Sequence, residues 1–125
     1  MNRSFTCVLC PRGCHLELEY DSESRKITGI TGAGCSRGEP WAQQELSAPM
    51  RTLCTSIRTA GGEDPLVSVK SDCDIPLERF PDVMKCIEAA VAEAPVDIGD
   101  VLLHHPAGTS CRIIATRRNH EYRKD

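Results

Sequence analysis

The chain of 125 residues is poor in aromatic side chains, has no excess of positive charge and contains no long apolar run. One Trp, two Tyr and two Phe leave the core to Val, Ile, Leu and Ala, and offer few rings on which nucleic-acid bases could stack. A formal net charge of −3 argues against binding to a phosphate backbone. We therefore expect no nucleic-acid partner.

The sequence also lacks signals for export, membrane insertion and catalysis. "MNRSFTCVLC" has neither the apolar stretch nor the cleavage site of a secretory signal, and no apolar run approaches the roughly 18 residues of a transmembrane helix. We expect a cytoplasmic protein whose eight cysteines are reduced thiols or metal ligands. No Ser-His-Asp arrangement, phosphate-binding glycine loop or catalytic carboxylate pair is recognisable, so we predict no catalytic residue.

What the sequence does contain is a group of closely spaced cysteines, three in "CVLCPRGC" and a fourth in "GAGCSRG". These candidate ligands are Cys7, Cys10, Cys14 and Cys35. Three ligands on one loop and a distant fourth suit the corners of a [4Fe-4S] cluster, and Pro11 and Gly13 suit a tight loop. A Cys₄ zinc site stays open as an alternative. A redox dithiol fits less well, because a proline-glycine loop follows the first C-x-x-C instead of a helix.

The pattern after the third cysteine predicts a β-hairpin. "HLELEY" alternates apolar and charged residues, "DSES" is a turn, and "RKITGIT" is a return strand that brings Cys35 back beside the first three cysteines. "EPWAQQELSAP" reads as a short helical turn or loop. We place a boundary there, with a cysteine-rich lobe in residues 1–48 and a small α+β domain in 49–125.

The second domain is predicted to contain two hairpins around one main helix, which makes the whole chain α+β. "LCTSIRT" with "LVSVK" form the first hairpin, the helix spans 81–94, and "VDIGDVLLHHPAGTSCRIIATR" contains two strands around a "PAGT" turn. The final "RRNHEYRKD" reads as a frayed end. The other four cysteines are expected to be ordinary small hydrophobic residues: Cys54, Cys73, Cys86 and Cys111.

Several residues near the candidate ligands could tune a cluster. The charges of Arg12 and Arg37 would stabilise its reduced state, His15 could donate a hydrogen bond toward sulfur, and Trp41 could exclude water. The alternative for Arg12, Arg37 and His15 is that they are ordinary solvated side chains. The alternative for Trp41 is that it forms a hydrophobic lid over the small lobe.

The stretch "CVLCPRGCHLELEYDSESRKITGITGAGCSRG" resembles the small iron-sulfur lobe at the start of molybdopterin oxidoreductases such as formate dehydrogenases and nitrate reductases. The resemblance implies a [4Fe-4S] cluster on the four cysteines named above. Arg37 stands where those enzymes generally carry a lysine in contact with the pterin, and 125 residues leave no room for the pterin domains. Molybdenum chemistry is therefore not implied.

Nearly the whole chain is also similar to an uncharacterised family of small bacterial and archaeal C-x-x-C proteins, through "PLVSVKSDCDIPLERFPDVMKCIEAAVAEAPVDIGDVLLHHPAGTSCRIIATR". Members tend to be encoded beside flavin-dependent dehydrogenases of the glycerol-3-phosphate dehydrogenase type and pyridine-nucleotide-dependent flavoproteins. This neighbourhood implies partnership with such a flavoprotein. Together with the predicted cluster, it leads us to expect an iron-sulfur electron-transfer subunit that docks on one. The alternative is a zinc-stabilised Cys₄ module that assembles an oxidoreductase complex without redox activity.

Overall fold

The computed structural model describes residues 1–123, which form an α+β protein as the sequence predicts. The chain divides into two compact units between Pro49 and Met50. Each unit contains antiparallel β-strands and one α-helix. Among the residues described, no helix combines the length and the apolar character needed to span a bilayer.

The first unit contains a three-stranded antiparallel sheet in the order β1-β2-β3. The strands are β1 (Asn2–Thr6), β2 (His15–Tyr20) and β3 (Ile27–Thr31). The predicted hairpin is confirmed by the β2–β3 pairing, and the Asp21 carboxylate accepts hydrogen bonds from two backbone N–H groups of its turn. The sequence did not predict β1. Its polar residues lack an alternating pattern, and it forms because β2 supplies backbone partners along its full length.

A ten-residue helix, α1 (Gly38–Ser47), follows the sheet where the sequence predicted only a helical turn or loop. Gly38, Ala42 and Leu46 repeat every four residues and are buried on one face of the helix. The Gln43 amide accepts a hydrogen bond from the N–H of Ile27 and donates one to the carbonyl oxygen of Arg25. The helix is therefore stabilised by tertiary contacts that local sequence does not reveal.

The second unit contains a five-stranded sheet in the order β8-β5-β6-β10-β9 and a separate two-stranded β4–β7 pair. Its elements are β4 (Met50–Arg51), β5 (Cys54–Ala60), β6 (Leu66–Ser71), β7 (Ile75–Pro76), α2 (Phe80–Ala89), β8 (Val91–Glu93), β9 (Val101–His104) and β10 (Arg112–Ala115). The two predicted hairpins are present as the antiparallel β5–β6 and β9–β10 pairs. Helix α2 contributes Val83 and Ile87 to a core that also contains Ile57, Val69 and Ile113.

The predicted helix over 81–94 is wrong at its C-terminal end. Helix α2 ends at Ala89, because Ala90 is extended with φ −93° and ψ 153°. Val91–Glu93 then forms β8, parallel to β5, and buries Ala92. The apolar spacing of these residues fits a helix, but pairing with β5 supplies backbone partners and core burial together, and this tertiary arrangement overrides the local pattern.

The frayed C-terminal end that the sequence suggests is also wrong over its described part. Asn119 is only 2% exposed, its side chain bonds to both the N–H and the carbonyl oxygen of Asp64, and its backbone pairs with Val96. The N–H of Tyr122 bonds to the carbonyl oxygen of Gly61. The tail therefore belongs to the second unit as far as residue 123, and residues 124 and 125 lie outside the described part.

Candidate metal centre

Three of the four candidate cysteines lie in the loop that joins β1 to β2. The N–H of Cys7 donates a 2.8 Å hydrogen bond to the carbonyl oxygen of Cys14, which closes the base of this loop. The chain then runs away along β2 and returns along β3, so the residues after β3 come back to the same end of the sheet. Cys35 follows β3 and begins the approach to α1 at that end.

All four cysteines line one cavity of about 110 Å³, which we call the cysteine cavity. Cys7 is buried, Cys10 and Cys14 are half-buried, and Cys35 is exposed. The remaining lining residues are Leu9, Arg12, Leu16, Ala33, Gly34, Arg37 and Gly38. A single water needs a cavity of roughly 10–15 Å³ measured in this way, so the space is several times larger than one small ion requires.

The environment of Cys35 favours its thiolate. The backbone N–H of Arg37 donates a hydrogen bond to this sulfur, the Arg37 side chain donates another, and together they lower the pKa of the Cys35 thiol. The N–H of Gly38, the first residue of α1, adds a weaker contribution. Because a metal binds the thiolate form, these donors prepare the exposed member of the set for ligation.

Gly34 in the cavity wall and Gly32 just before it both occupy positions where a side chain would be too close to neighbouring atoms. A Cβ at Gly34 would lie 3.0 Å from the Cys14 sulfur and 3.0 Å from an Arg12 guanidinium nitrogen. At Gly32, with φ +91°, a Cβ would lie 2.0 Å from the carbonyl oxygen of His15. Gly13 has φ +64° with open space around it, which agrees with a tight turn in the cysteine loop.

The other candidate residues divide into two groups. Arg12 and Arg37 line the cysteine cavity. His15 does not line it: its exposed ring lies 4.0 Å from a carboxylate oxygen of Glu17. Trp41 is half-buried, contacts Phe5 edge-on at 6.1 Å, and packs on the small core that includes Cys7. Trp41 thus covers the apolar core of the first unit and is not part of the cavity wall.

The separation of the sulfurs bears on which metal they suit. A tetrahedral zinc ion with Zn–S bonds of about 2.3 Å holds its sulfurs roughly 3.8 Å apart. Within residues 1–123, one group of three or more ligand atoms lies within 4.8 Å of one another, and that group is in the second unit. No three of the four N-terminal sulfurs are therefore so close, and one zinc ion would require the loops to contract.

That closer group consists of Asp72, Cys73 and Cys111, a Cys/Asp set that could bind a metal ion. In the described structure Cys73 and Cys111 form a disulfide, with Cα atoms 5.5 Å apart. The expectation that all cysteines are thiols or metal ligands is therefore wrong for this pair. The disulfide also argues against a simple metal site, because bonded sulfurs offer no thiolate.

Sequence reasoning missed this pair because it did not predict that β6 and β10 are neighbours. Ile113 faces Ser71 in the antiparallel ladder, and the same register continued by two residues places Cys111 opposite Cys73. The two cysteines are 38 residues apart in sequence. The available signal was that the apolar strand β6 ends shortly before Cys73 and the apolar strand β10 begins directly after Cys111. This signal predicts a disulfide only when the strand order is known.

Of the remaining cysteines, Cys86 is half-buried on α2, whereas Cys54 is exposed and is not a core residue.

The fold and the site define a two-unit α+β protein with a four-cysteine cavity in its first unit. The chain belongs to the family named Protein of unknown function (DUF1667), which matches residues 36–117. The match begins directly after Cys35, so it includes Arg37, Trp41 and the whole five-stranded sheet and leaves the four cavity cysteines outside.

The fold is similar to the NMR structure of Clostridium perfringens protein CPE0013, with a TM-score of 0.50 and 18% sequence identity. The similarity covers 62% of this chain and 91% of that one. At this level of identity it shows a shared fold and nothing of function. No curated protein matches the chain.

Proposed function

We propose that the protein is an electron-transfer subunit that holds a [4Fe-4S] cluster on Cys7, Cys10, Cys14 and Cys35 and docks on a flavin-dependent dehydrogenase. The observation that carries the proposal is that all four cysteines line one cavity of about 110 Å³. A bound cluster of this type supplies one-electron transfer and, with four cysteine ligands, leaves no iron position open for substrate.

The size and shape of the cavity support a cluster more than a single ion. No three of its sulfurs lie within 4.8 Å of one another, whereas the sulfurs around one zinc ion lie roughly 3.8 Å apart. A cube of iron and sulfur needs its ligands at separated corners. The lack of a close set of three sulfurs therefore counts against a single zinc ion in the existing loop geometry.

The residues around the cavity have separable tasks. The N–H and then the side chain of Arg37 lower the pKa of the Cys35 thiol and so favour its thiolate. The positive charges of Arg12 and Arg37 offset the negative charge that four thiolates bring together. Leu9 and Leu16 contribute apolar surface to the lining of the cavity. Trp41 and Phe5 stabilise the core beneath Cys7.

The cysteine loop also supplies a surface on which a partner could dock. Val8 is 73% exposed and Leu9 is 43% exposed, and both lie between Cys7 and Cys10. Exposed apolar side chains directly beside a redox site are suited to burial against another protein, which would shorten the path for an electron. The choice of a flavin-dependent dehydrogenase or a pyridine-nucleotide-dependent flavoprotein as partner rests on the resemblance described for the sequence.

The test is the content of iron, acid-labile sulfide and zinc in protein purified without oxygen. We expect about four irons and four sulfides per chain. About one zinc and no sulfide would replace the proposal with the zinc-stabilised Cys₄ module. The docking part is tested separately by co-purification from the native host at native expression level, where recovery of the protein without a flavoprotein would contradict it.

A further inference from the structure

The group Asp72, Cys73 and Cys111 lies where β6 ends and β10 begins, outside the cysteine cavity. One ligand atom of each residue lies within 4.8 Å of the other two. In the described state the two sulfurs are bonded to each other. Metals bind thiolate sulfur, so the disulfide and a metal at this position exclude each other.

We propose that Asp72, Cys73 and Cys111 form a zinc site that is available only after a dithiol has reduced the Cys73–Cys111 disulfide. The proposal does not depend on the function of the cysteine cavity. In the first step the dithiol gives two electrons and two protons to the disulfide and leaves as a disulfide itself. In the second step Zn²⁺ binds the two thiolates, and the two protons are released to solvent.

The strand ladder keeps the two thiols together after reduction. Cys73 and Cys111 are opposite each other in the continued β6–β10 register, and the N–H of Asp72 bonds to the carbonyl oxygen of Arg112 at 3.0 Å. These backbone contacts do not depend on the S–S bond. Two adjacent thiolates two positions beyond the last pair of this ladder form a preorganised pair, which reduces the entropic cost of binding an ion.

Asp72 is already positioned to act as the third ligand. The backbone N–H and the Nε of Arg112 each donate a 2.8 Å hydrogen bond to a different oxygen of the Asp72 carboxylate. A carboxylate has about four lone-pair positions, so these two bonds leave acceptor positions for a metal. Carboxylates that bind metals are commonly held by such partners, which fix their orientation.

The donor set selects the class of metal. Two thiolates and one carboxylate suit Zn²⁺, whereas Ca²⁺ and Mg²⁺ prefer oxygen ligands alone. The Ser110 hydroxyl lies 4.0 Å from the Cys73 sulfur, and it or a water can complete a tetrahedron. Cys73 is exposed, which gives a reductant and an ion access to its sulfur, whereas Cys111 is 1% exposed and is reached through Cys73.

The experiment uses the full chain and measures protection of individual cysteines from alkylation. The protein is reduced with a phosphine, incubated with or without Zn²⁺ and treated with a maleimide, and the labelled peptides are quantified by mass spectrometry. We expect Zn²⁺ to slow labelling of Cys73, the exposed member of the pair, by tenfold or more. Peptides containing the N-terminal cysteines report on the cysteine cavity separately, so zinc bound there is not confused with this site.

Two matched variants test the role of the carboxylate. In the reduced protein, Asp72→Asn is expected to weaken zinc binding at the Cys73–Cys111 site at least tenfold, as measured by protection of Cys73 from alkylation. Asp97→Asn is the control. Asp97 is also an exposed carboxylate that bonds to an arginine, Arg118, at 2.7 Å, but it does not belong to the group of ligand atoms formed by Asp72, Cys73 and Cys111. If Zn²⁺ protected Cys73 from the maleimide equally well in Asp72→Asn and in the unchanged protein, the site as proposed would be overturned.

Absence of any zinc effect on Cys73 and Cys111 would also overturn it. A circular-dichroism spectrum of the reduced protein without metal accompanies the labelling and shows whether reduction alone unfolds the second unit. A second measurement completes the test: bound Zn²⁺ should slow re-formation of the Cys73–Cys111 disulfide, because thiolates held by the ion are not available to form the S–S bond. An unchanged rate of re-oxidation at saturating Zn²⁺ contradicts the proposal.

Discussion

The N–H of Cys7 bonds to the carbonyl oxygen of Cys14 at 2.8 Å, and this contact closes the loop that contains three of the four cavity cysteines. It lies one position beyond the Thr6–His15 pair that ends the β1–β2 ladder. The two ends of the loop therefore continue the regular sheet, and the positions of Cys7 and Cys14 depend on strands β1 and β2. A metal centre built on such a loop is sensitive to the sheet below it.

Replacing Cys14 or Cys35 with serine should remove the proposed [4Fe-4S] cluster. Each variant deletes one thiolate from the cysteine cavity, and a cluster held by three ligands is readily lost. Iron content per chain after anaerobic purification is the measurement. Cys54→Ser is the control, since Cys54 is an exposed free cysteine of β5 in the other unit. Equal loss of iron from the Cys54 variant would contradict the ligand assignment.

The glycine at position 32 should be far less replaceable than the one at position 13. Both have positive φ, so alanine costs roughly 1–2 kcal/mol from backbone strain alone at either position. A Cβ at Gly32 would in addition lie 2.0 Å from the His15 carbonyl oxygen, whereas Gly13 has open space. Urea unfolding followed by Trp41 fluorescence should show Gly32→Ala several kcal/mol less stable than Gly13→Ala. Similar midpoints for the two variants would show that the close approach is not real.

Substitution of Leu9 with aspartate should weaken binding to the proposed flavoprotein. Leu9 is 43% exposed beside Cys10, and loss of one apolar anchor costs about 1.4 kcal/mol or more, a tenfold change in Kd. Ile98→Asp is the control, because Ile98 is also exposed, at 63%, and belongs to the second unit. The dissociation constant for the co-purified partner is the measurement, with iron content confirming an intact site. Equal weakening by both substitutions would argue against the cysteine loop as the docking surface.

Replacing Asn119 with alanine should loosen the C-terminal tail of the second unit. The side chain satisfies the N–H and the carbonyl oxygen of Asp64, and leaving such groups unpaired costs about 1–3 kcal/mol. Amide hydrogen exchange should therefore accelerate at Asp64 and Val96. His120→Ala is a suitable comparison, because His120 is exposed and contributes a backbone carbonyl that alanine retains. Unchanged exchange in the Asn119 variant would show that the tail does not depend on this side chain.

The Asp97–Arg118 pair predicts a measurable pH dependence. The Arg118 side chain and then the N–H of Ile98 donate hydrogen bonds that lower the pKa of Asp97 below its ordinary value. The stabilisation is present above the ordinary pKa near 3.9 and is lost as pH falls through the lower folded value. Carbon-detected NMR titration should give a depressed pKa for Asp97 that rises in Arg118→Gln. An unshifted value in the unchanged protein would contradict the contact.

Most of the local structure could be predicted from the sequence. The alternation in "HLELEY", the turn at "DSES" and the two later hairpins all appear as expected, because strand alternation and turn chemistry are local properties. The start of α2 was readable too, since Pro81 in the first turn and the spacing of Val83 and Ile87 predict it. The errors occur where a distant strand supplies a competing partner, as β5 does for Val91–Glu93.

The spacing of the four cysteines, which suits a metal centre, and the hairpin that separates the fourth from the other three can be read from the amino-acid sequence alone. That the four line one cavity, that Cys73 faces Cys111 and that Asn119 is buried depends on how the whole chain folds. The reason is physical. Spacing along the chain limits which residues can meet, but strand order and register, which depend on contacts between residues far apart in sequence, decide which of them do.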